Sequence, residues 1–165
     1  MQFYNISDFI IVPIWLIVLF AIAYFSKLRN KEKSEYDFFI PGLLAKIAGA
    51  IVFVLIYTLY YNGGDTTAYF ESSSCLVRMF FKKPDVFFSI ISNNLSPENY
   101  FSFDSETGWP GYWRDPQSFA VVRFTAPFAL LGFHSFFATI LIVSVLTYTG
   151  LWKLYLLFYK QYPKL

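Results

Sequence analysis

The 165-residue chain has few of the residues on which disulfide-linked, metal-binding and nucleic-acid-binding proteins depend. Its one cysteine, Cys75, excludes a disulfide within the chain. Its one histidine, His134, excludes a metal site with several histidine ligands. Charged residues make up 15% of the chain, against roughly 25% in an average soluble domain. The net charge of +2, with no long basic run, indicates that nucleic acid is not a partner.

Apolar and aromatic residues are what the chain has in excess. Hydrophobic residues make up 56% of it and aromatic residues 23%, with 21 Phe and 13 Tyr. Disorder is excluded, because disordered chains combine low hydrophobicity with high charge. A domain of this size leaves too much of its surface in water to hide so many apolar side chains. We therefore expect an all-α, polytopic integral membrane protein that forms a single membrane domain over residues 1–165.

Three apolar runs are long enough to cross a bilayer, which takes about 20 residues as a helix. They cover approximately residues 9–26, 43–61 and 134–157. Basic residues follow the first run instead of preceding it, which argues against a cleaved signal peptide. The second run carries Lys46 one turn after its start, where a long side chain can reach the headgroups.

The charged flanks of these runs predict their orientation. Basic residues lie between the first two runs and after the third, and the positive-inside rule places both flanks in the cytoplasm. The N-terminus and the loop over residues 62–117 are then outside. The stretch 118–133 contains Arg123 and Pro127, so we expect an interfacial or re-entrant helix there. If it crosses as a fourth span, the C-terminus changes sides.

The outer loop opens with the most distinctive motif of the chain. It reads Asn62-Gly63-Gly64-Asp65-Thr66-Thr67. The apolar spacing after it predicts an interfacial helix over residues 65–82, with Arg78, Lys82 and Lys83 facing lipid phosphates or water. One interpretation of Asp65 is the N-cap of this helix. The other is a catalytic carboxylate that acts as a general base or holds a divalent metal ion, with Glu71 as a second catalytic candidate.

The end of the loop and the following stretch hold candidates for substrate binding. Trp109, Trp113 and Arg114 suit a carbohydrate surface, because flat aromatic rings stack on the faces of sugars. The alternative is an aromatic anchor at the membrane interface. Arg123 suits bidentate hydrogen bonds to a lipid diphosphate. Its alternative is a side chain that only extends toward the headgroups.

The layout around Gly63-Gly64-Asp65-Thr66-Thr67 resembles the amino-terminal part of the C-type glycosyltransferases and related envelope polysaccharide polymerases. These polytopic enzymes use polyprenyl- or dolichyl-linked sugars, and their first outer loop supplies a catalytic Asp or Glu near its start. The matching position is Asp65, with Glu71 as a second match. The resemblance implies transfer of sugar from a polyprenyl-phosphate carrier on the outer face of the bacterial cytoplasmic membrane. Because those enzymes have more spans, we expect this chain to be a fragment of a larger protein.

A second hypothesis comes from a different functional class. The chain is short, has a single histidine and contains no catalytic motif of high specificity. These features fit a non-enzymatic membrane subunit whose aromatic outer loop binds a partner protein or anchors to the lipid bilayer.

Overall fold

A computed structural model describes residues 6–61 and 63–162, and over these ranges the chain is helical with no strand. The α-helices are α1 (Asp8–Arg29), α2 (Phe39–Leu55), α3 (Asp65–Lys82), α4 (Pro84–Ile91), α5 (Pro97–Tyr100), α6 (Pro116–Leu131) and α7 (Phe136–Gln161). A 3₁₀ turn (Ser34–Phe38) precedes α2, and a π turn (Ile56–Tyr60) follows it. The all-α prediction is confirmed.

Three helical segments are long and apolar enough to cross a membrane: Asp8–Arg29, Ser34–Tyr60 and Phe136–Gln161. The first segment ends three residues after the apolar run that the sequence indicates, the second begins nine residues before its run, and the third ends four residues after its run. At the end of α1 the extra turn holds Lys27 and Arg29, whose charges are favourable near a helix C-terminus. The first turn of α2 holds Pro41. Proline is tolerated there, because the N–H groups of a first helical turn have no acceptor within the helix.

The three long helices share one apolar core, in which α7 packs against both α1 and α2. Its buried members are Leu19, Ala23, Phe39, Leu43, Ile47, Leu141, Tyr148 and Trp152. The buried Tyr148 hydroxyl donates a hydrogen bond of 2.6 Å to the carbonyl oxygen of Phe39. The rings of Phe39 and Trp152 lie 4.9 Å apart in an edge-to-face arrangement. These contacts fix the second half of α7 against the start of α2.

A second core joins α3, α4, α6 and the loop before α6. Its buried members are Cys75, Leu76, Met79, Phe87, Ile90, Phe103, Phe119, Val122 and Ala126. The Ser73 hydroxyl, fully buried, donates to the carbonyl oxygen of Val122 at 2.9 Å and so links α3 to α6. The 16-residue helix α6 therefore uses one face to pack on α3. Whether α6 lies at the membrane surface, re-enters the bilayer or crosses it stays a prediction.

The two basic flanks lie at the same end of the three-helix bundle. The Ser34 hydroxyl, just after the first flank, is 3.2 Å from the Tyr159 hydroxyl near the end of α7. At the opposite end, the ring of Phe136 at the start of α7 lies 5.1 Å from the ring of Phe70 in α3. This is the arrangement that a three-span topology requires. The compartment that each end faces stays a prediction.

Candidate functional site

The start of α3 is built differently from the expected Asp65 cap. The N-cap residue is Gly64, and Asp65 is the first helical residue. Thr67 does the capping: the Gly64 N–H donates to its hydroxyl at 3.0 Å, and the hydroxyl donates to the Gly64 carbonyl at 2.7 Å. Gly64 has a φ of +152°, and a Cβ there would lie 3.0 Å from the Tyr57 ring. The N-cap interpretation of Asp65 is therefore wrong.

The Asp65 carboxylate instead accepts a hydrogen bond of 3.3 Å from the Tyr112 hydroxyl. Tyr112 has a left-handed backbone (φ 62°), which is unfavourable for any residue with a Cβ. The packing of its ring against the tilted ring of Tyr69, with the ring centres 4.8 Å apart, and the bond to Asp65 hold it there. Partial burial, and then the negative charge of Asp65, raise the pKa of the Tyr112 phenol. Tyr112 therefore stays a neutral hydrogen-bond donor to Asp65 at physiological pH.

An open groove of about 640 Å³, which we call the α3 groove, lies between α3 and the loop Gly108–Tyr112. Its polar and aromatic walls include Glu71, Ser72, Cys75, Arg78, Trp109 and Tyr112. Two hydrogen bonds hold the loop against the helix. The Gly111 N–H donates to the Ser72 hydroxyl at 3.0 Å, and Arg78 Nε donates to the Thr107 carbonyl at 2.8 Å. The groove is thus a fixed feature of the packing between α3 and this loop.

The groove brings a carboxyl, a thiol and a guanidinium onto one face of α3. Desolvation raises the pKa of Glu71 above its usual value of 4.5. Burial also raises the pKa of the Cys75 thiol, although Arg78 Nη2 lies 3.3 Å from its sulfur. Burial and the charge of Arg78 lower the pKa of His134, which keeps that imidazole neutral near pH 7. Glu71 is thus a carboxyl in the groove whose pKa is shifted upward, toward neutral pH. Such a shift is expected of a group that transfers protons.

Asp65 and Glu71 are on different sides of α3. Six residues of helix separate them by about 9 Å along the axis and by about 120° around it, so they are not positioned to share one ion. No group of three or more His, Cys, Asp or Glu side chains suited to a metal occurs among the described residues. A divalent ion at Asp65 stays a prediction, and its other ligands would have to come from elsewhere.

The two tryptophans expected to form one carbohydrate surface lie in different surroundings. Trp109 lines the α3 groove, as Glu71 does, and is 56% exposed. Trp113 packs its ring 4.9 Å from buried Phe119 and lines a separate cavity of about 720 Å³, together with Arg114. Tyr112 contributes to both cavities. The two cavities are therefore neighbours that share one wall.

The lysines at the end of α3 do not simply face lipid or water, as the sequence suggests. Lys82 forms ion pairs with Asp104, at 2.7 Å, and with Glu106. Lys83 donates to the carbonyl oxygen of Ser102 at 3.2 Å. The bond from Lys82, followed by that from the Thr107 N–H, lowers the pKa of Asp104 from 3.8 to about 2. The loop folds back over the end of α3, and the two lysines hold its residues 102–106 against the helix.

Arg123 is apart from the other candidates. It is half-buried on α6 and lines neither the α3 groove nor the cavity beside Trp113. Its Nε atom is buried and has no hydrogen-bond partner in the part of the chain that the structure describes. A buried donor without a partner costs free energy, so an anion at this position would be favourable. Its role toward a diphosphate stays a prediction.

Sequence reasoning missed the polar face of α3 that lines the groove. Glu71, Cys75 and Arg78 follow one another at spacings of four and three residues, which places them on one side of a helix. That spacing is visible in the sequence. What the sequence does not show is that the loop around Trp109 covers this face, because the loop and the helix are about 35 residues apart in the chain.

Comparisons with known proteins add no family to this picture. No protein-family model matches the chain, and neither does any curated protein or any solved structure.

Proposed function

We propose that this chain is the amino-terminal part of an integral membrane glycosyltransferase, which transfers sugar from a polyprenyl-phosphate carrier on the outer face of the cytoplasmic membrane. The observation that carries the proposal is the α3 groove, at the end of the bundle away from both basic flanks. Its walls include both Glu71 and the exposed indole of Trp109, as well as Tyr112, whose hydroxyl donates to Asp65. Glycosyl transfer needs a base for the acceptor hydroxyl and a surface for the sugar.

In this proposal Glu71 is the general base. Its carboxylate takes the proton of the acceptor hydroxyl while the acceptor oxygen attacks the anomeric carbon, and the polyprenyl diphosphate leaves with the electron pair of the broken bond. The raised pKa of Glu71 supports this role, because proton transfer is most effective when the pKa of the base lies nearer the working pH. Trp109, on the same groove, provides a flat face for the sugar.

Asp65 is proposed as a ligand for a divalent ion, which would neutralise the charge of the donor diphosphate. Mg²⁺ is commonly held by one or two carboxylates together with substrate phosphates, so a single protein carboxylate suffices. The hydrogen bond from Tyr112 fixes the orientation of this carboxylate. Trp113 and Arg114, in the neighbouring cavity, are proposed to bind the acceptor, and Arg123 the lipid diphosphate.

The test is to replace each carboxylate in the protein as it occurs in its own membrane. We expect Glu71→Gln and Asp65→Asn each to lower transfer from polyprenyl-linked sugars by about 100-fold or more, the usual contribution of a proton-transferring or charge-stabilising group. The measurement is the rate of labelled sugar transfer in isolated membranes, at equal protein levels.

Asp85→Asn is the matched control, because Asp85 is exposed on α4 and lies outside both cavities. It should leave transfer unchanged. Full transfer by both the Glu71 and the Asp65 variants would contradict the proposal.

The second candidate function is a non-enzymatic membrane subunit that binds a partner protein through its outer loop. The observation that favours it is the number of exposed aromatic side chains there, with Phe101 at 80% and Trp109 at 56% exposure. A photoreactive amino acid in place of Phe101 or Trp109 should then crosslink to one defined protein. Crosslinking to lipid or glycan alone would argue against this function.

A further inference from the structure

One side of α6 is an apolar surface that the described part of the chain leaves uncovered. The buried side chains of Phe119, Val122 and Ala126 pack into the core that α6 shares with α3. From Ala120 to the end of the helix, every exposed residue is apolar, and we call these residues the outer α6 face: Ala120, Val121, Phe124, Pro127 and Leu131. Because α6 is apolar on both sides, its sequence pattern does not show which side packs inward. The tertiary structure does, and it leaves Phe124 61% exposed.

The outer α6 face and the α3 groove lie on opposite sides of a layer formed by these two helices. Ser73 of α3 points toward α6, since its hydroxyl donates to the carbonyl oxygen of Val122. Glu71 and Cys75, two residues before and after Ser73, are each about 200° around the helix from it. The groove that they line therefore opens away from α6. On α6, Phe124 is likewise about 200° around the helix from Val122. The layer thus has one polar side and one apolar side.

The outer α6 face adjoins α7, a helix that is long and apolar enough to cross a membrane. A Cβ on Gly132, at the end of α6, would lie 2.7 Å from the Thr139 hydroxyl, so the two helices meet at the first turn of α7. Val121 and Thr125 of α6 also line a hollow of about 280 Å³ together with Ile140 of α7. Where α7 enters a bilayer, the outer α6 face is continuous with its apolar surface. The acyl chains that surround α7 there can therefore cover α6 as well.

The packing of α6 argues against a fourth membrane span. Its 16 residues extend about 24 Å as a helix, whereas the hydrocarbon core of a bilayer is about 30 Å thick. Helix α3 packs along α6 and would enter the bilayer with it, together with the ionisable Glu71 and the charged Arg78, which is costly. The non-helical backbone of the loop Gly108–Tyr112, which lies against α3, would also be exposed to lipid. A helix that lies along the surface and buries one face avoids both costs.

We infer that the outer α6 face is embedded in the acyl-chain region of the leaflet at which α7 begins, and that α6 lies along this surface without crossing the bilayer. The partner is the hydrocarbon of the membrane and not a particular headgroup, because this face carries no charged or hydrogen-bonding side chain. The α3 groove then opens away from the bilayer. The inference needs α7 to cross a bilayer, but it does not depend on the proposed glycosyl transfer.

The test measures how closely lipid acyl chains approach the outer α6 face. Phe124→Cys and Trp109→Cys are each introduced into the whole chain with Cys75→Ser, and the new cysteine is labelled with a small fluorophore. The two positions are matched, because Phe124 and Trp109 are both exposed aromatic residues, at 61% and 56%. The proteins are placed in vesicles of neutral lipid whose acyl chains carry bromine, which quenches fluorescence on contact. We expect the label at position 124 to lose most of its fluorescence and the label at position 109 to keep it.

Two further measurements separate a helix at the surface from a helix that crosses. Bromine near the headgroup end of the acyl chains should quench the label at position 124 more strongly than bromine near the methyl end, because the apolar face of an interfacial helix enters only about 5–10 Å. Gln117→Cys and His134→Cys, at exposed positions beyond the two ends of the outer α6 face, should both react with a membrane-impermeant thiol reagent from the side at which Trp109→Cys reacts. A crossing α6 would place these two cysteines on opposite sides.

The inference is overturned if brominated lipid quenches the label at position 124 no more than the label at position 109. It is also overturned if Gln117→Cys and His134→Cys react from opposite sides. A label at position 124 that lipid does not quench, but that transfers energy to an acceptor-labelled second copy of the chain, would identify a dimer interface instead. Val121→Cys repeats the measurement on the same face, so the result does not depend on whether Phe124→Cys folds. Loss of sugar transfer in the groove variants has no bearing on it.

Discussion

Glu71 reduces the stability of the folded protein at neutral pH. Its pKa is raised in the folded state, so the folded protein favours the protonated form. Below the unfolded pKa of about 4.5 the carboxyl is protonated in both the folded and the unfolded protein, and no stability is lost. As the pH rises through the folded pKa, the carboxyl has to ionise in the groove, and the free energy of unfolding falls. Retaining a carboxyl at such a position is understandable if the groove needs it for proton transfer.

We therefore expect Glu71→Gln to raise the melting temperature at pH 7, because the amide needs no ionisation in the half-buried groove. The gain should vanish at pH 4, where Glu71 is largely protonated in both the folded and the unfolded protein. Thermal unfolding in detergent micelles at the two pH values measures this. Glu98→Gln, on the exposed side of α5, is the control and should change neither melting temperature. An unchanged melting temperature for Glu71→Gln at pH 7 would contradict the expectation.

The pKa of Asp104 is shifted in the opposite direction, downward. The bond from Lys82 is the largest reason that its pKa falls from 3.8 to about 2. Its stabilising contribution is therefore present above about pH 4 and lost as the pH falls toward 2. In Lys82→Met we expect the pKa of Asp104 to rise toward 3.8, measured from the ¹³C shift of its carboxyl carbon.

Lys83→Met is the comparison for this measurement. Lys83 binds the carbonyl of Ser102 and forms no ion pair with Asp104, so the titration of Asp104 should stay near pH 2. Equal titration curves for the Lys82 and Lys83 variants would show that the ion pair does not hold the loop on α3.

At the scale of elements, the turn between α6 and α7 leaves no room for a larger residue. A Cβ on Gly132 would lie 2.7 Å from the Thr139 hydroxyl and 3.0 Å from the Thr139 backbone nitrogen. The next two residues, Phe133 and His134, both have left-handed φ angles, so the turn has little freedom to move. The close approach of the α6 end to the first turn of α7 fixes the angle between these helices.

We expect Gly132→Ala to lower the free energy of unfolding by about 1–3 kcal/mol, the usual cost of overpacking a tight contact. Gly150→Ala is the matched change, because Gly150 lies within α7 with open space beside it. It should raise stability by about 0.5–1 kcal/mol, since alanine is favoured over glycine inside a helix. Chemical unfolding in micelles compares the two, and equal effects would contradict the packing argument.

The elements also show how far local sequence signals reach. The predicted helix over residues 65–82 has the same bounds in the structure, because a Gly-Gly break and an amphipathic run mark its ends locally. Its cap was not predictable in the same way. The Thr67 hydroxyl closes the turn with the N–H and the carbonyl of Gly64, and the Asp65 carboxylate instead accepts from Tyr112, 47 residues later in the chain.

At the scale of the whole molecule, the structure separates the basic flanks from the α3 groove by the length of the bundle. In vesicles or intact cells, we expect Lys31→Cys and Lys160→Cys to react with a membrane-impermeant thiol reagent from one side only. Trp109→Cys should react from the other side. The three cysteines are introduced into a Cys75→Ser protein, so that the natural cysteine, which is buried, cannot react with the reagent. Labelling of all three positions from one side would exclude the three-span topology.

Composition and periodicity determined the helical class and the three long apolar segments, because an apolar run of a given length has the same consequence wherever it occurs. They also determined that acidic and aromatic residues gather in the loop between the second and third of these segments. The tertiary structure decided which of those residues meet. Trp109 and Glu71 line the same groove, Tyr112 binds Asp65, and Lys82 pairs with Asp104, although the residues of each pair are 22 to 47 positions apart in the chain. Such contacts depend on how the loop packs over α3, which no local pattern encodes.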